Sequence, residues 1–152
     1  MLFRSQLEGE TYLLHSFYKI LYAHLLRQFY QLSGKMAKTA FLFAGQGSQY
    51  IGMGKDIYSQ SKEAKEVYDR ANETLGFDLS GICFDGKQEE LNKTSICQPA
   101  VMVTSIALLR AFKERNNGNI SCHVTAGLSL GEYTALVFAN SISFEDALSL
   151  VL

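Results

Sequence analysis

The sequence predicts an α/β protein built on a parallel sheet, and three observations carry that reading. Two short apolar runs, residues 39–44 and 120–126, each end in a glycine-rich turn. Long stretches with helical spacing lie between and after them. The second run leads into Gly127-Leu128-Ser129-Leu130-Gly131, a Gly-x-Ser-x-Gly pentapeptide of the kind that carries a serine on a sharp strand-to-helix turn.

Size and composition fit one ordinary globular domain: 152 residues, 47% hydrophobic and 19% charged. A formal net charge of -1, with no basic stripe, leaves no electrostatic footprint for nucleic acid. The three cysteines, Cys83, Cys97 and Cys122, form no C-x-x-C pair. They suggest neither a disulfide framework nor a metal site, so each is expected to be a small buried apolar residue in a reducing cytoplasm.

Residues 1–35 differ in character from the rest. Leu14, Tyr18, Leu21, Leu25, Phe29 and Leu32 recur at helical spacing with Lys19, His24, Arg27 and Gln28 between them. Such a helix could lie on a membrane or cover a partner, but interrupting charges make it a poor membrane span. Glu8 and Glu10 ahead of the apolar part make it a poor signal peptide. The reading preferred here sets 1–35 apart as a doubtful extension, takes Met36 as the start, and assigns 36–152 to the working domain.

From Thr39 the chain is orderly. Thr39-Ala40-Phe41-Leu42-Phe43-Ala44 reads as a strand buried in a parallel sheet, and it stops at Gly45-Gln46-Gly47-Ser48-Gln49. This turn lacks the third glycine of G-x-G-x-x-G and the G-K-[ST] of a P-loop, so it is not read as a nucleotide cradle. It instead projects Gln46 over the carboxyl edge of the sheet. Residues 61–75 follow as a surface helix, with Ala64, Val67, Tyr68, Ala71 and Leu75 on its inner face and Gly76 as its stop. Residues 78–93 read as a turn-rich connection. Pro99 is expected in the first turn of a long packing helix ending near Arg115. Asn116-Asn117-Gly118-Asn119 is a turn, and 120–126 is the second strand. Residues 130–139 have a helical pattern, and Ser143-x-x-Asp146 caps a last helix that shows no stop signal before Leu152, as if the chain were cut short.

Strands joined by a helical crossover should lie parallel in one sheet, side by side or further apart, which puts Gln46 and Ser129 on one carboxyl edge, where open parallel sheets bind ligands. A nucleophilic serine needs oxyanion donors and a base. The backbone N–H of Leu130 supplies one donor and the Gln46 loop a second. Glycines at 127 and 131 are expected where strand and helix cross. No convincing base is present. His123 lies six residues before Ser129, about 20 Å away at ~3.3 Å per strand residue, and is read as structural. Glu132 is read as a residue that caps or orients the turn. Neither Arg110 nor Arg115 is assigned to substrate.

Three motifs in this order and spacing, Phe43-Ala44-Gly45-Gln46-Gly47-Ser48-Gln49, Gln98-Pro99-Ala100 and Gly127-Leu128-Ser129-Leu130-Gly131-Glu132-Tyr133, resemble the amino-terminal half of malonyl-CoA:acyl carrier protein transacylases. Acyltransferase domains of polyketide and fatty acid synthases share them. The resemblance covers residues 36–152. It implies a partial α/β-hydrolase-like sheet with flanking helices, without the family's small ferredoxin-like subdomain or the rest of its large subdomain. It further implies Ser129 as the malonyl-bearing nucleophile, Gln46 and Leu130 as the oxyanion hole, and Gly45, Gly47, Gly127, Gly131 and Glu132 as motif support. Malonyl-CoA would be the substrate and acyl carrier protein the partner, in fatty acid biosynthesis, with no metal and no bound cofactor. Leu128 departs from the pattern, standing where many members have histidine. The family's carboxylate-binding arginine and later histidine base have no counterpart in the sequence, so the chain alone is expected to be nearly inactive. The rival readings are a serine esterase of the α/β-hydrolase class, which would need an HGGG-type loop, and a non-catalytic fragment.

Overall fold

Both apolar runs are strands in the computed structural model, which describes residues 39–152. β1 (Ala40–Phe43) and β2 (Val124–Gly127) are parallel neighbours in a two-stranded sheet, with Ala40 opposite Val124 and Phe43 opposite Gly127. A parallel pair needs a crossover connection. Here that crossover consists of α1 (Lys55–Gln60), α2 (Lys62–Leu75), α3 (Leu79–Asp85), α4 (Gln88–Leu91) and α5 (Thr94–Arg115), and α6 (Leu130–Phe138) and α7 (Phe144–Val151) follow β2. The readings of residues 1–35 and of Met36 lie outside the described residues.

The strands are shorter and less buried than expected. The ladder ends at Val124 because His123 adds a different rung: its N–H donates to Thr39 O at 2.9 Å, and its ring Nδ1 accepts from Thr39 N–H at 3.1 Å. β1 is half-buried, with Leu42 48% exposed, since no third layer among the described residues covers that side. Phe41 nevertheless finds edge-to-face partners in Phe138 at 5.3 Å and Phe112 at 6.4 Å.

α2 ends where its sequence predicts and starts one residue later, at Lys62. Ser61 caps it by accepting from Ala64 N–H, and Gly76 ends it at φ 74, a left-handed turn that glycine adopts without a Cβ penalty. Ala64, Val67, Tyr68 and Ala71 are buried on one face.

Residues 78–93 correct the expected turn-rich connection, because they contain α3 and α4. Both helices are too short for periodicity to reveal. What starts α3 is the Asp78 carboxylate, which accepts from Gly81 N–H at 2.8 Å and from the Ser80 hydroxyl at 2.6 Å. Gly81 is no loop residue but the site where a Cβ would lie 2.3 Å from that carboxylate.

α5 also begins earlier than expected, at Thr94, so Pro99 sits inside it and not in its first turn. A proline there removes one N–H and crowds the carbonyl four residues back, that of the exposed Ser95. The first turn is secured by Ile96 and Cys97 N–H bonds to Lys93 O. α5 is the one helix among the described residues long and apolar enough to cross a membrane, but it packs as the central helix, burying Ala100, Val101, Met102, Val103, Ile106 and Ala107. Across its interface with α2, the buried Tyr68 hydroxyl meets Thr104 Oγ1 at 2.7 Å.

Of the cysteines, Cys83 and Cys97 are buried as expected, whereas Cys122 is partly exposed and donates its thiol to Val124 O. It falls in the irregular segment before β2. The expected cap of α7 is present: Ser143 Oγ accepts from Asp146 N–H at 3.0 Å.

Candidate active site

β2 ends at Gly127, α6 begins at Leu130, and the chain must reverse in between. Ser129 takes up that reversal at φ 54, ψ -113, a conformation rarely open to a residue with a side chain. Such backbone strain costs on the order of 1–3 kcal/mol.

The two flanking glycines allow this turn in different ways. A Cβ on Gly127 would fall 2.0 Å from the carbonyl carbon and oxygen of Gly131, so α6 folds back directly over the end of β2. A Cβ on Gly131 would fall 2.4 Å from Phe43 O, which belongs to the neighbouring strand. The crossing anticipated at 127 is therefore present, and Gly131 additionally lets the helix start settle onto β1. The turn closes with Gly131 N–H to Leu128 O and Glu132 N–H to Ser129 O, both at 3.0 Å. Glu132 Oε1 accepts from Ser129 N–H at 3.1 Å, orienting the turn.

Leu130 is the first helical residue, and its side chain is buried. Its N–H has no intrahelical acceptor, and the helix dipole adds partial positive charge there. Donor and charge stand directly after the exposed Ser129.

The loop after β1 meets this elbow. A Cβ on Gly45 would come within 3.0 Å of Leu128 O, so the two turns are in contact along one sheet edge. Gly47 adopts φ 101, a conformation that favours glycine. Ser48 Oγ donates to Gly45 O at 2.9 Å, and Gly47 N–H donates to Gln49 Oε1 at 2.9 Å. Gln46 is exposed, and its Oε1 accepts from Gln98 Nε2 at 3.3 Å. Beneath the loop, burial raises the Cys97 thiol pKa, opposed in part by Gly47 N–H.

The structure thus brings together Gly45, Gln46, Gly47, Gly127, Ser129, Leu130, Gly131 and Glu132. It adds Gln98, which the sequence offered only as a motif residue; an amide directly before the chain's one proline was the available signal. His123 is not part of this cluster, since its ring is committed to Thr39 at the other end of β2. Arg110 pairs with Glu63 at 3.8 Å and Arg115 donates to Gln60 at 3.2 Å, both on helices of the crossover. No group of three or more His, Cys, Asp or Glu among the described residues could hold a metal ion. The arrangement can present a serine hydroxyl beside a free helix-terminal N–H and a second donor loop, which is the equipment for attack on an acyl carbonyl.

Comparison with known proteins agrees with that chemistry. The family model for the acyl transferase domain matches residues 40–152. A malonyl CoA-acyl carrier protein transacylase of Bacillus subtilis (strain 168) is 54% identical over 112 residues, covering 74% of this chain and 34% of that protein. The crystal structure of malonyl CoA-acyl carrier protein transacylase from Clostridium perfringens superposes with a TM-score of 0.70 at 46% identity, covering 76% of this chain and 35% of the other. A type II PKS acyl-carrier protein in complex with its malonyl-transacylase gives a TM-score of 0.71 at 40% identity, covering 76% and 37%. The chain spans about a third of the length of the relatives it matches. With its elbow, its facing loop and the family match over residues 40–152, the chain belongs to the acyl transferase domain family.

Proposed function

We propose that this chain carries the nucleophile and the oxyanion hole of a transacylase that moves malonyl from coenzyme A to the phosphopantetheine thiol of acyl carrier protein, in fatty acid biosynthesis. The contact between the Gly45 loop and the elbow at Leu128 supports the proposal, because it brings the Gln46-bearing turn against the turn that carries Ser129. The names of the relatives supply the acyl group and the acceptor. We assign residues 36–152 to the amino-terminal part of the large subdomain, and residues 1–35 to an extension outside it.

In this scheme Ser129 Oγ attacks the thioester carbonyl, and the C–S bond breaks. Coenzyme A leaves as its thiol, and a seryl malonyl ester remains. Leu130 N–H and the Gln46 loop hold the oxyanion in each tetrahedral intermediate. The carrier thiol then attacks the ester, returning the proton to Ser129. Glu132 keeps the elbow in register through Ser129 N–H. No cofactor takes part beyond the substrate itself. Free cysteines suit a cytoplasmic setting.

The strained backbone at Ser129 supports this reading over that of a plain turn residue, since strain is held where mechanism requires it. Nothing in the described residues offers a base, so the full transfer reaction should run at only a residual rate in this chain. The test is intact mass spectrometry of the 152-residue protein with malonyl-CoA. The expected result is a slow adduct of one malonyl group, mapped to Ser129 and lost in Ser129→Ala. An adduct that persists in Ser129→Ala, or none in the unsubstituted chain, would overturn the proposal.

A further inference from the structure

We propose that Gln49 and Asn92 are positioning residues that hold the Gln46 loop in its donor geometry. This inference rests on the acyl-transfer reading above and adds two residues to it.

The loop tip offers two backbone N–H groups, those of Gln46 and Gly47. Nothing lies within 4 Å of where a Cβ on Gly47 would sit, so packing on that side does not fix its peptide, and on the other its N–H also acts on the buried Cys97 thiol. A hydrogen bond holds it: Gly47 N–H donates to Gln49 Oε1 at 2.9 Å. Gln49 is in turn held from outside the loop, because its Nε2 donates to Asn92 Oδ1 at 3.1 Å across 43 positions of sequence. Asn92 Oδ1 also accepts from Gln88 Nε2 at 2.9 Å.

The far end of this chain of amides is tied to the core. Asn92 closes α4, its own N–H bonding to Gln88 O, and the preceding Leu91 is fully buried in the core. A short helix that periodicity cannot detect thus anchors the loop through side chains. With Gly47 N–H committed to Gln49 and the Gln46 side chain held by Gln98, the N–H left available at the loop tip is that of Gln46, whose peptide Ser48 Oγ holds by donating to Gly45 O at 2.9 Å. Stabilising a developing oxyanion requires donors oriented before the charge appears. Glycines at 45 and 47 leave the loop backbone free to turn, and the bonds made by Ser48 and Gln49 restrict it, the second of them tied outside the loop through Asn92.

The contribution belongs to the transition state, so its loss lowers the maximal acylation rate and leaves the half-saturating malonyl-CoA concentration unchanged. Four variants of the full chain test this. Gln49→Leu removes both bonds, and Asn92→Ala removes the anchor. Gln49→Glu keeps the acceptor for Gly47 N–H, with the Asn92 amide turned to donate, and Asn92→Asp keeps both of its acceptor roles. Ser129 acylation is followed by mass spectrometry, and amide exchange at Gln46 and Gly47 by NMR.

The expected result is a loss of about tenfold in maximal rate for Gln49→Leu and about threefold for Asn92→Ala, at unchanged half-saturation. The two conservative variants stay within about twofold of the parent. Gly47 N–H exchanges about tenfold faster in Gln49→Leu. Unchanged exchange at Gly47 in Gln49→Leu would overturn the proposal. So would equal rate losses in Gln49→Glu and Gln49→Leu, or an effect confined to half-saturation. A parent chain that forms no seryl ester overturns the acyl-transfer reading and the catalytic half of this one with it. Exchange at Gly47 then still decides whether Gln49 fixes the loop.

Discussion

Ser129 makes opposite demands with its backbone and its side chain, and that opposition can be measured. At φ 54, ψ -113 any residue with a Cβ is strained. The strain is on the order of 1–3 kcal/mol. Glycine relieves it and loses roughly 0.5–1 kcal/mol in added unfolded-chain entropy relative to alanine. The Ser129 N–H bond to Glu132 is a backbone interaction and survives either substitution. The exposed hydroxyl contributes little to the fold. Ser129→Gly should therefore be more stable than Ser129→Ala by about 1 kcal/mol, the reverse of the usual order for these residues. Urea unfolding of both full-length variants, compared at equal m-values, reads the difference. Both lose malonyl labelling, so one variant gains stability as it loses chemistry. If Ser129→Gly is the less stable by the ordinary 0.5–1 kcal/mol, the elbow stores no strain and the reasoning fails.

Three further outcomes follow from the geometry. Gly127→Ala sets a methyl 2.0 Å from the Gly131 carbonyl and should cost about 3 kcal/mol or more, whereas Gly76→Ala, left-handed at φ 74 with open space around it, should cost about 1 kcal/mol. Urea midpoints of the two variants make the comparison, and equal losses would contradict the collision. Burial pushes the Cys83 thiol up to about 12 and raises that of Cys97 as well, while Cys122 is partly exposed. A thiol reagent at pH 8 should modify Cys122 first and reach the other two only on unfolding, as peptide mapping would show. The Ser80 hydroxyl and Gly81 N–H hold the Asp78 carboxyl below the usual range. A depressed native pKa stabilises above the unfolded carboxylate value, near 3.9, and that contribution disappears as pH falls through the native one. Asp78→Ala should thus cost about 1 kcal/mol at pH 7 by loss of the cap, with the deficit narrowing below about pH 4. A deficit of the same size at pH 3 would contradict the charged cap.

Backbone requirements were the legible part of the fold. Glycine-ended apolar runs separated by helical periodicity gave two parallel strands with both turns on one sheet edge, and the structure makes them neighbours. α2 was readable because it is long enough to show a face and has Gly76 as its stop; that Ser61 caps it and does not belong to it came from the structure. α3 and α4 escaped because seven and four residues complete too few turns to display a period. Pro99 misled for a related reason. A proline is best suited to a first turn, yet a long, buried helix accommodates the loss of one bond in its second.

The site divides along the same line. Gly127, Ser129 and Gly131 were visible because each meets a condition that only its residue type or conformation satisfies: a close crossing, a strained turn, a helix start pressed onto β1. Gln49 and Gln98 stood out only as motif residues and Asn92 not at all, because an amide side chain is common on any exposed surface, and its partner is fixed only when the helices bring it within hydrogen-bond distance. Sequence order separates Gln49 from Asn92 and Gln46 from Gln98, and only the crossover returning beneath the β1 loop joins them. The nucleophile is therefore shaped by local geometry, whereas the donor loop facing it depends on tertiary contacts. A destabilised crossover should accordingly impair the oxyanion loop before it disturbs the elbow.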